Sequence, residues 1–210
     1  MGTKFFKNIL LITAMQFLFA GSCNKDGSRP CRNAPYAFDV TSVFTPQKET
    51  YNVNDTIFFT STLSKSLVNT ISNQQIDYSN SVGIGGDIGI VFPDPVSLQN
   101  KPAKDSFDFI SLNGNFIPRP INQNQGINTV YTEHANYYIF KGGIICKKKG
   151  IYAISVDNLI SQGLIGKNCA NANFHMLVTN NDKHINLYQV ILGITLDQHS
   201  IDKIYCFRVQ

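Results

Sequence analysis

Nine short runs rich in β-branched and aromatic residues, separated by turn formers, restrict what this chain can fold into. They span residues 36–44, 56–63, 88–92, 107–112, 137–140, 151–156, 174–179, 184–190 and 203–209. Thr45-Pro46, Pro93 and Asn113-Gly114 close three of them. Such composition suits a pleated, half-buried surface, and so many short strands predict an all-β sandwich or barrel. Long amphipathic helix patterns are missing. The most helix-like stretch is 187–196, which contains Gly193, and a short helix is hinted at by Leu67, Val68, Ile71 and Ile76. Lys141-Gly142-Gly143 reads as a tight hairpin, because Gly-Gly supplies positive φ. Residues 117–128 read as a long loop, and 83–89 as a glycine-rich turn. A hydrophobic share of 43% excludes a disordered tail, and 15% charged residues without heptads exclude a coiled coil.

The first twenty-odd residues stand apart from this pattern. Residues 1–8 carry Lys4 and Lys7 and no acid, and 9–20 are apolar apart from Thr13 and Gln16. That run is shorter than the roughly 20 helical residues a bilayer demands, so it reads as an export signal. Ala20, Gly21 and Ser22 stand directly before Cys23. The arrangement resembles the lipobox of bacterial lipoproteins, which implies a signal peptide over 1–22, an acyl group on Cys23 and a lipidated tether over 23–35. A single β-sandwich domain then fills 36–210. The same resemblance implies a membrane partner through the lipid, and a place in the cell envelope as an outer-membrane lipoprotein facing periplasm or surface. Cys23-Asn24-Lys25-Asp26 resembles, incompletely, the lysine-plus-acid signal that sends some such proteins to the cell surface.

Of five cysteines, a lipidated Cys23 leaves Cys31, Cys146, Cys169 and Cys206. In an oxidising compartment an even set implies two disulfides, with three possible connectivities. The preferred pairing is Cys146 with Cys169, which flank the 150–156 run, and Cys31 with Cys206, which would tie the first folded residues to the last strand. A loop that long contributes about 4 to 5 kcal/mol in the entropic model. With no C-x-x-C and no close Cys/His spacing, neither a metal nor another cofactor is expected.

Tyr51-Asn52-Val53-Asn54-Asp55-Thr56-Ile57 resembles the strand opening of immunoglobulin-like domains in Bacteroidota envelope lipoproteins, with Asn54 where glycine is usual. Asn tolerates the left-handed conformation better than other non-glycine residues, so the change is mild. Tyr205-Cys206-Phe207-Arg208-Val209 resembles the last strand of the same lipoproteins. The resemblance implies an immunoglobulin-like antiparallel sandwich with long loops and one or two short helices, and assigns no chemistry.

Catalytic signatures are missing: there is no G-x-S-x-G, no H-E-x-x-H and no P-loop. Asp105 with Asp108, and Glu49 with Glu133, read as solvated loop carboxylates. His175 and His184, flanking Asn180-Asn181-Asp182, suit facing strands but lack a third ligand. Without Lys4 and Lys7, 16 basic residues stand against 14 acidic, which makes no case for nucleic acid. The one basic run, Lys147-Lys148-Lys149, reads as a solvated turn or edge. The expectation is therefore a monomeric, non-catalytic domain that binds a glycan or an envelope protein. Tyr131, Tyr137 and Tyr138 with Asn136 are the candidate contact residues, rings to stack on a sugar and an amide to meet its hydroxyls. The alternative is a structural or assembly subunit of an envelope or surface complex, and a hydrolase with an unrecognised site stands third.

Overall fold

The computed structural model describes residues 34–118, 126–167 and 169–210. The chain divides into two units, Met1–Arg32 and Asn33–Gln210, and every described residue belongs to the second. Cys23 and Cys31 therefore lie outside the described residues.

In chain order the strands are β1 (Tyr36–Thr45), β2 (Thr50–Tyr51), β3 (Thr56–Ser64), β4 (Ser66–Val68), β5 (Gln75–Asp77), β6 (Ser81–Val82), β7 (Gly85–Asp94), β8 (Gln99–Pro102) and β9 (Phe107–Asn113). There follow β10 (Asn115–Pro118), β11 (Ile127–Val130), β12 (Thr132–Glu133), β13 (Tyr137–Cys146), β14 (Gly150–Val156), β15 (Leu159–Ser161), β16 (Gly163–Leu164), β17 (Ala172–Val178) and β18 (Ile204–Val209). Two helices, α1 (Ile185–Leu192) and α2 (Gln198–Ile201), separate β17 from β18. The architecture is an immunoglobulin-like β-sandwich. One hydrogen-bonded path runs β12-β13-β3-β1-β17-β15-β7-β14-β18-β2, with β9 paired to β13. It folds back on itself, because rings from its two ends meet in the middle: Phe107 of β9 lies 6.0 Å from Phe207 of β18, and Phe44 of β1 lies 5.0 Å from Tyr205. Most pairings are antiparallel, but β1 runs parallel to β17 and β18 parallel to β2.

Alternation along the strands explains the main core. On β13, Tyr138, Phe140, Gly142, Ile144 and Cys146 all face inward, and on β3 so do Ile57, Phe59, Ser61 and Leu63. The opening of β3 behaves as its resemblance implied, with Asn54 at φ 74° and its N–H donating to the Cys146 carbonyl at 2.7 Å.

Four local expectations are corrected. The predicted strand over 184–190 is instead helix α1, which overlaps the stretch that read as most helix-like and is capped at its C-terminus by Gly193 at φ 63°. Leu187, Tyr188 and Leu192 pack with Ala153, Ile204 and Cys206 into a second core on the outer face of the sheet. Burial of that face outweighs the strand preference of Ile185, Val190 and Ile191. The predicted hairpin at Lys141-Gly142-Gly143 does not form, since β13 runs straight through it and neither glycine has positive φ. These glycines serve close packing: a Cβ on Gly142 would overlap the Phe116 ring, and one on Gly143 would come within 2.6 Å of Ile110. The helix hinted at by Leu67 and Ile76 is the β4–β5 hairpin, in which those two residues pair. The glycine-rich turn is confined to Gly83 at φ 63°, and from Gly85 the chain is already strand β7.

Candidate binding groove

Strand alternation separates the four residues singled out for ligand contact. Tyr131 continues the inward positions Ile127 and Thr129 of β11, and is 8% exposed. Its ring lies 5.8 Å from Phe140, and burial holds its phenol well above the ordinary range. Tyr138 is 2% exposed, donates to the Tyr78 carbonyl at 2.9 Å and accepts from the Ser81 N–H at 2.9 Å. Burial pushes its hydroxyl up to about 12. Both are core residues, which corrects their assignment as contact rings. Tyr137 and Asn136 do reach the surface. Tyr137 stacks on His134 with ring centroids 4.9 Å apart, and Lys65 bridges Glu133 at 2.5 Å. The Lys65 ammonium holds the Glu133 carboxyl below the usual carboxylate range.

The expected disulfides are corrected as well. Cys146 and Cys206 are free thiols in two separate cores, the first between the layers and the second beneath α1. Cys169 lies on an exposed turn at φ 54° and is disulfide-bonded to neither of them. Burial pushes both free thiols up to about 12. The remaining candidate groups are dispersed. His175 sits 3.3 Å from Asp39 across the β1–β17 pair, and Asp108 3.3 Å from Lys147. His184 caps α1, with Asp182 3.2 Å and Glu49 4.0 Å from its Nδ1. Among the described residues no three His, Cys, Asp or Glu side chains are placed to hold a metal.

What the structure does assemble is a groove that the sequence pattern gave no sign of. Helix α1 lies over the outer face of β7, β14 and β18, and where it ends an open cavity of about 450 Å³ remains. Phe92, Pro93, Pro95, Ile151 and Ile191 of α1 line it together with the exposed Arg208. Ile151 and Arg208 are register partners on β14 and β18, so their side chains share one face. The Asn100 amide donates to the Tyr188 hydroxyl, which ties the β7–β8 hairpin to the helix. Arg208 is the single charged residue lining the cavity, and it makes no ion pair among the described residues. Pro93 registers in sequence only as a strand terminator and Arg208 only as part of the last strand. Their convergence depends on how the helix packs over the sheet, which the sequence pattern does not show.

No protein-family model matches the chain, and no curated protein matches it. Solved structures of β-sandwich domains are similar to it. The Reelin-N domain of F-spondin aligns with a TM-score of 0.37 at 6% identity, over 81% of this chain and 87% of that one. The reeler domain of human F-spondin aligns at 0.34 and 8% identity, over 66% and 93%. A type II cohesin domain from the cellulosome of Acetivibrio cellulolyticus aligns at 0.29 and 8% identity, over 64% and 82%. Likeness at this level assigns no ligand or partner to the chain.

Proposed function

We propose that the protein is a lipid-anchored component of the bacterial cell envelope that binds another envelope protein without performing chemistry on it. Acylated Cys23 would supply the anchor and the groove beside Arg208 the contact. The observation that carries this reading is the character of the groove walls: Phe92, Pro93, Pro95, Ile151 and Ile191 offer apolar surface and no nucleophile or proton donor. Such walls suit an apolar side chain of a protein partner better than a sugar, whose hydroxyls would go unpaired. The glycan reading loses two of its four contacts to the core, since Tyr131 and Tyr138 are buried. Binding a protein and adding a subunit to a complex then become one activity.

Two measurements test the proposal. Mass spectrometry of the protein from native membranes should find a diacyl or triacyl group on Cys23, and an unmodified N-terminal peptide overturns the anchor. A photo-crosslinking residue placed at Pro95 or Ile191 should trap one defined envelope protein in living cells. Adducts at Tyr137 and none at the groove would move the site to the β12–β13 hairpin.

A further inference from the structure

We infer that the partner segment received by the groove is acidic, presenting an apolar side chain to the cavity and a carboxylate to the guanidinium of Arg208. This rests on the reading of the groove as the ligand site and adds the chemistry of the ligand.

The cations around the cavity are uncommitted. Arg208, exposed at the edge of the cavity it lines, and Lys148 and Lys149, just ahead of lining residue Gly150, make no ion pair among the described residues. The Tyr152 hydroxyl lies 3.1 and 3.3 Å from the carbonyl oxygens of Lys148 and Lys149, so the basic turn is held in place beside the groove. The neighbouring carboxylates are already engaged elsewhere. Asp94, at the end of β7, is bridged by Lys101 and accepts from the Ser97 hydroxyl at 2.7 Å and the Val96 N–H at 3.1 Å. Glu49 takes the Arg208 N–H on its backbone carbonyl at 2.8 Å, and its carboxylate lies 4.0 Å from His184. Helix α1 and strands β14 and β18 carry no acid. A positive rim over an apolar cavity is complemented by a negative partner, and a guanidinium fork pairs with a carboxylate through two parallel hydrogen bonds.

The rim also explains why the occupant is a chain segment with several contacts. Val96 is 91% exposed and Val190 81%, and they adjoin the lining residues Pro95 and Ile191. They do not line the cavity, so a segment covers them only where it leaves the groove past Pro95 and Ile191. A flat bilayer surface would cover the two valines but leave the concave floor unfilled.

The test is selection of a random peptide library displayed on phage against the full chain, held in nanodiscs of zwitterionic lipid. The selected peptides should share an apolar residue with Asp or Glu close by. As synthetic peptides they should bind about tenfold more weakly to Arg208→Gln, recover part of that loss with Arg208→Lys, and weaken as salt rises. Ile191→Gln, and independently the surface change Val190→Asn, should weaken them too. Peptides that depend on Ile191 and Val190 but lack acids, and ignore Arg208→Gln, overturn this inference and leave the groove as the site. Peptides indifferent to both groove variants overturn the groove reading itself. The chain has no tryptophan, so Val96→Trp reports on the rim alone. A blue shift of its emission with phosphatidylglycerol vesicles, and no groove-dependent peptide, would make the occupant a membrane and overturn the inference.

Discussion

The hydroxyls of Tyr51 and Tyr205 lie 3.1 Å apart in the core, although 154 residues separate them in sequence. Together they close the turn between β1 and β2: Tyr51 donates to the Pro46 carbonyl, while Tyr205 donates to the Lys48 carbonyl at 2.9 Å and accepts its N–H at 3.1 Å. Tyr205→Phe removes the donor to the Lys48 carbonyl and the nearer acceptor of its N–H, which the Tyr51 hydroxyl also accepts at 3.3 Å, and should cost about 1–3 kcal/mol in urea unfolding. Because both hydroxyls accept the Lys48 N–H, Tyr51→Phe and Tyr205→Phe should be non-additive, with a coupling above about 0.5 kcal/mol in magnitude. Strictly additive losses would mean that the two hydroxyls act independently.

The two buried thiols begin the loss of stability in alkali, below the pH at which the buried tyrosines join it. In the fold Cys146 and Cys206 stay protonated up to about 12, whereas in the unfolded chain they ionise above about 8.5. Raised folded values mean that their contribution is fully present below the unfolded value and is lost as pH climbs toward 12. Each thiol should lower stability by at most about 1.4 kcal/mol per pH unit in that window. Unfolding free energies from pH 7 to 11 should fall, and Cys206→Ala should flatten the slope; a level profile contradicts the assignment.

The same cysteines make a chemical prediction. With iodoacetamide and peptide mapping, Cys146 and Cys206 should stay unlabelled in the native protein and react fully in denaturant without a reductant. A requirement for reductant would restore the disulfides that the spacing suggested.

Gly142 should be intolerant of any side chain. A Cβ there meets the Phe116 ring, which is itself packed 4.8 Å from Phe140 and 5.4 Å from Phe109. Gly142→Ala should therefore destabilise by about 1–3 kcal/mol through overpacking. Part of the loss should return when Phe116→Leu is added, as a thermal-melt cycle would show.

Acid should loosen the β7–β8 turn late. Its salt bridge to Lys101 and its bond from Ser97 hold the Asp94 carboxyl far below the usual carboxylate range. A lowered folded value contributes stability above the ordinary carboxylate range and loses it as pH falls below that range. Asp94→Asn should speed hydrogen exchange at the Val96 amide at neutral pH, and unchanged exchange would show that the carboxylate does not order the turn.

How much of this was legible in the sequence depended on whether local pattern and tertiary demand agreed. Where a strand has one buried face, as β3 does, alternation and β-branched composition located it directly. Ile151–Val156 was equally plain for another reason: with α1 over one face and the main core under the other, its apolar run is nearly continuous. Helix α1 carries two signals: 187–196 with Gly193 reads as the most helix-like stretch, while Ile185, Val190 and Ile191 suit a strand until something must cover Ala153 and Cys206. Gly142 and Gly143 misled because close approach and positive φ call for the same residue. Tyr131 and Tyr138 were misassigned because composition names a ring but does not say which face of the strand carries it. The groove had no local signature at all, since its walls come from β7, β14, α1 and β18.

The parallel pairing of β1 with β17, Tyr36 opposite Ala172, has a kinetic side. Roughly two thirds of the chain separates these strands, and a parallel partner cannot be reached through a hairpin. Folding is therefore governed by long-range closure and should be slow for the domain's size, with refolding in the slower range known for β-sandwiches. A nascent chain can pair the end of β1, Ser42 to Thr45, with β3 early, but its first half, from Tyr36 to Thr41, must wait for β17 through most of synthesis. The start of the first described strand is thus among the last parts to be secured, and loss of the segment from β17 onward leaves it without its parallel neighbour.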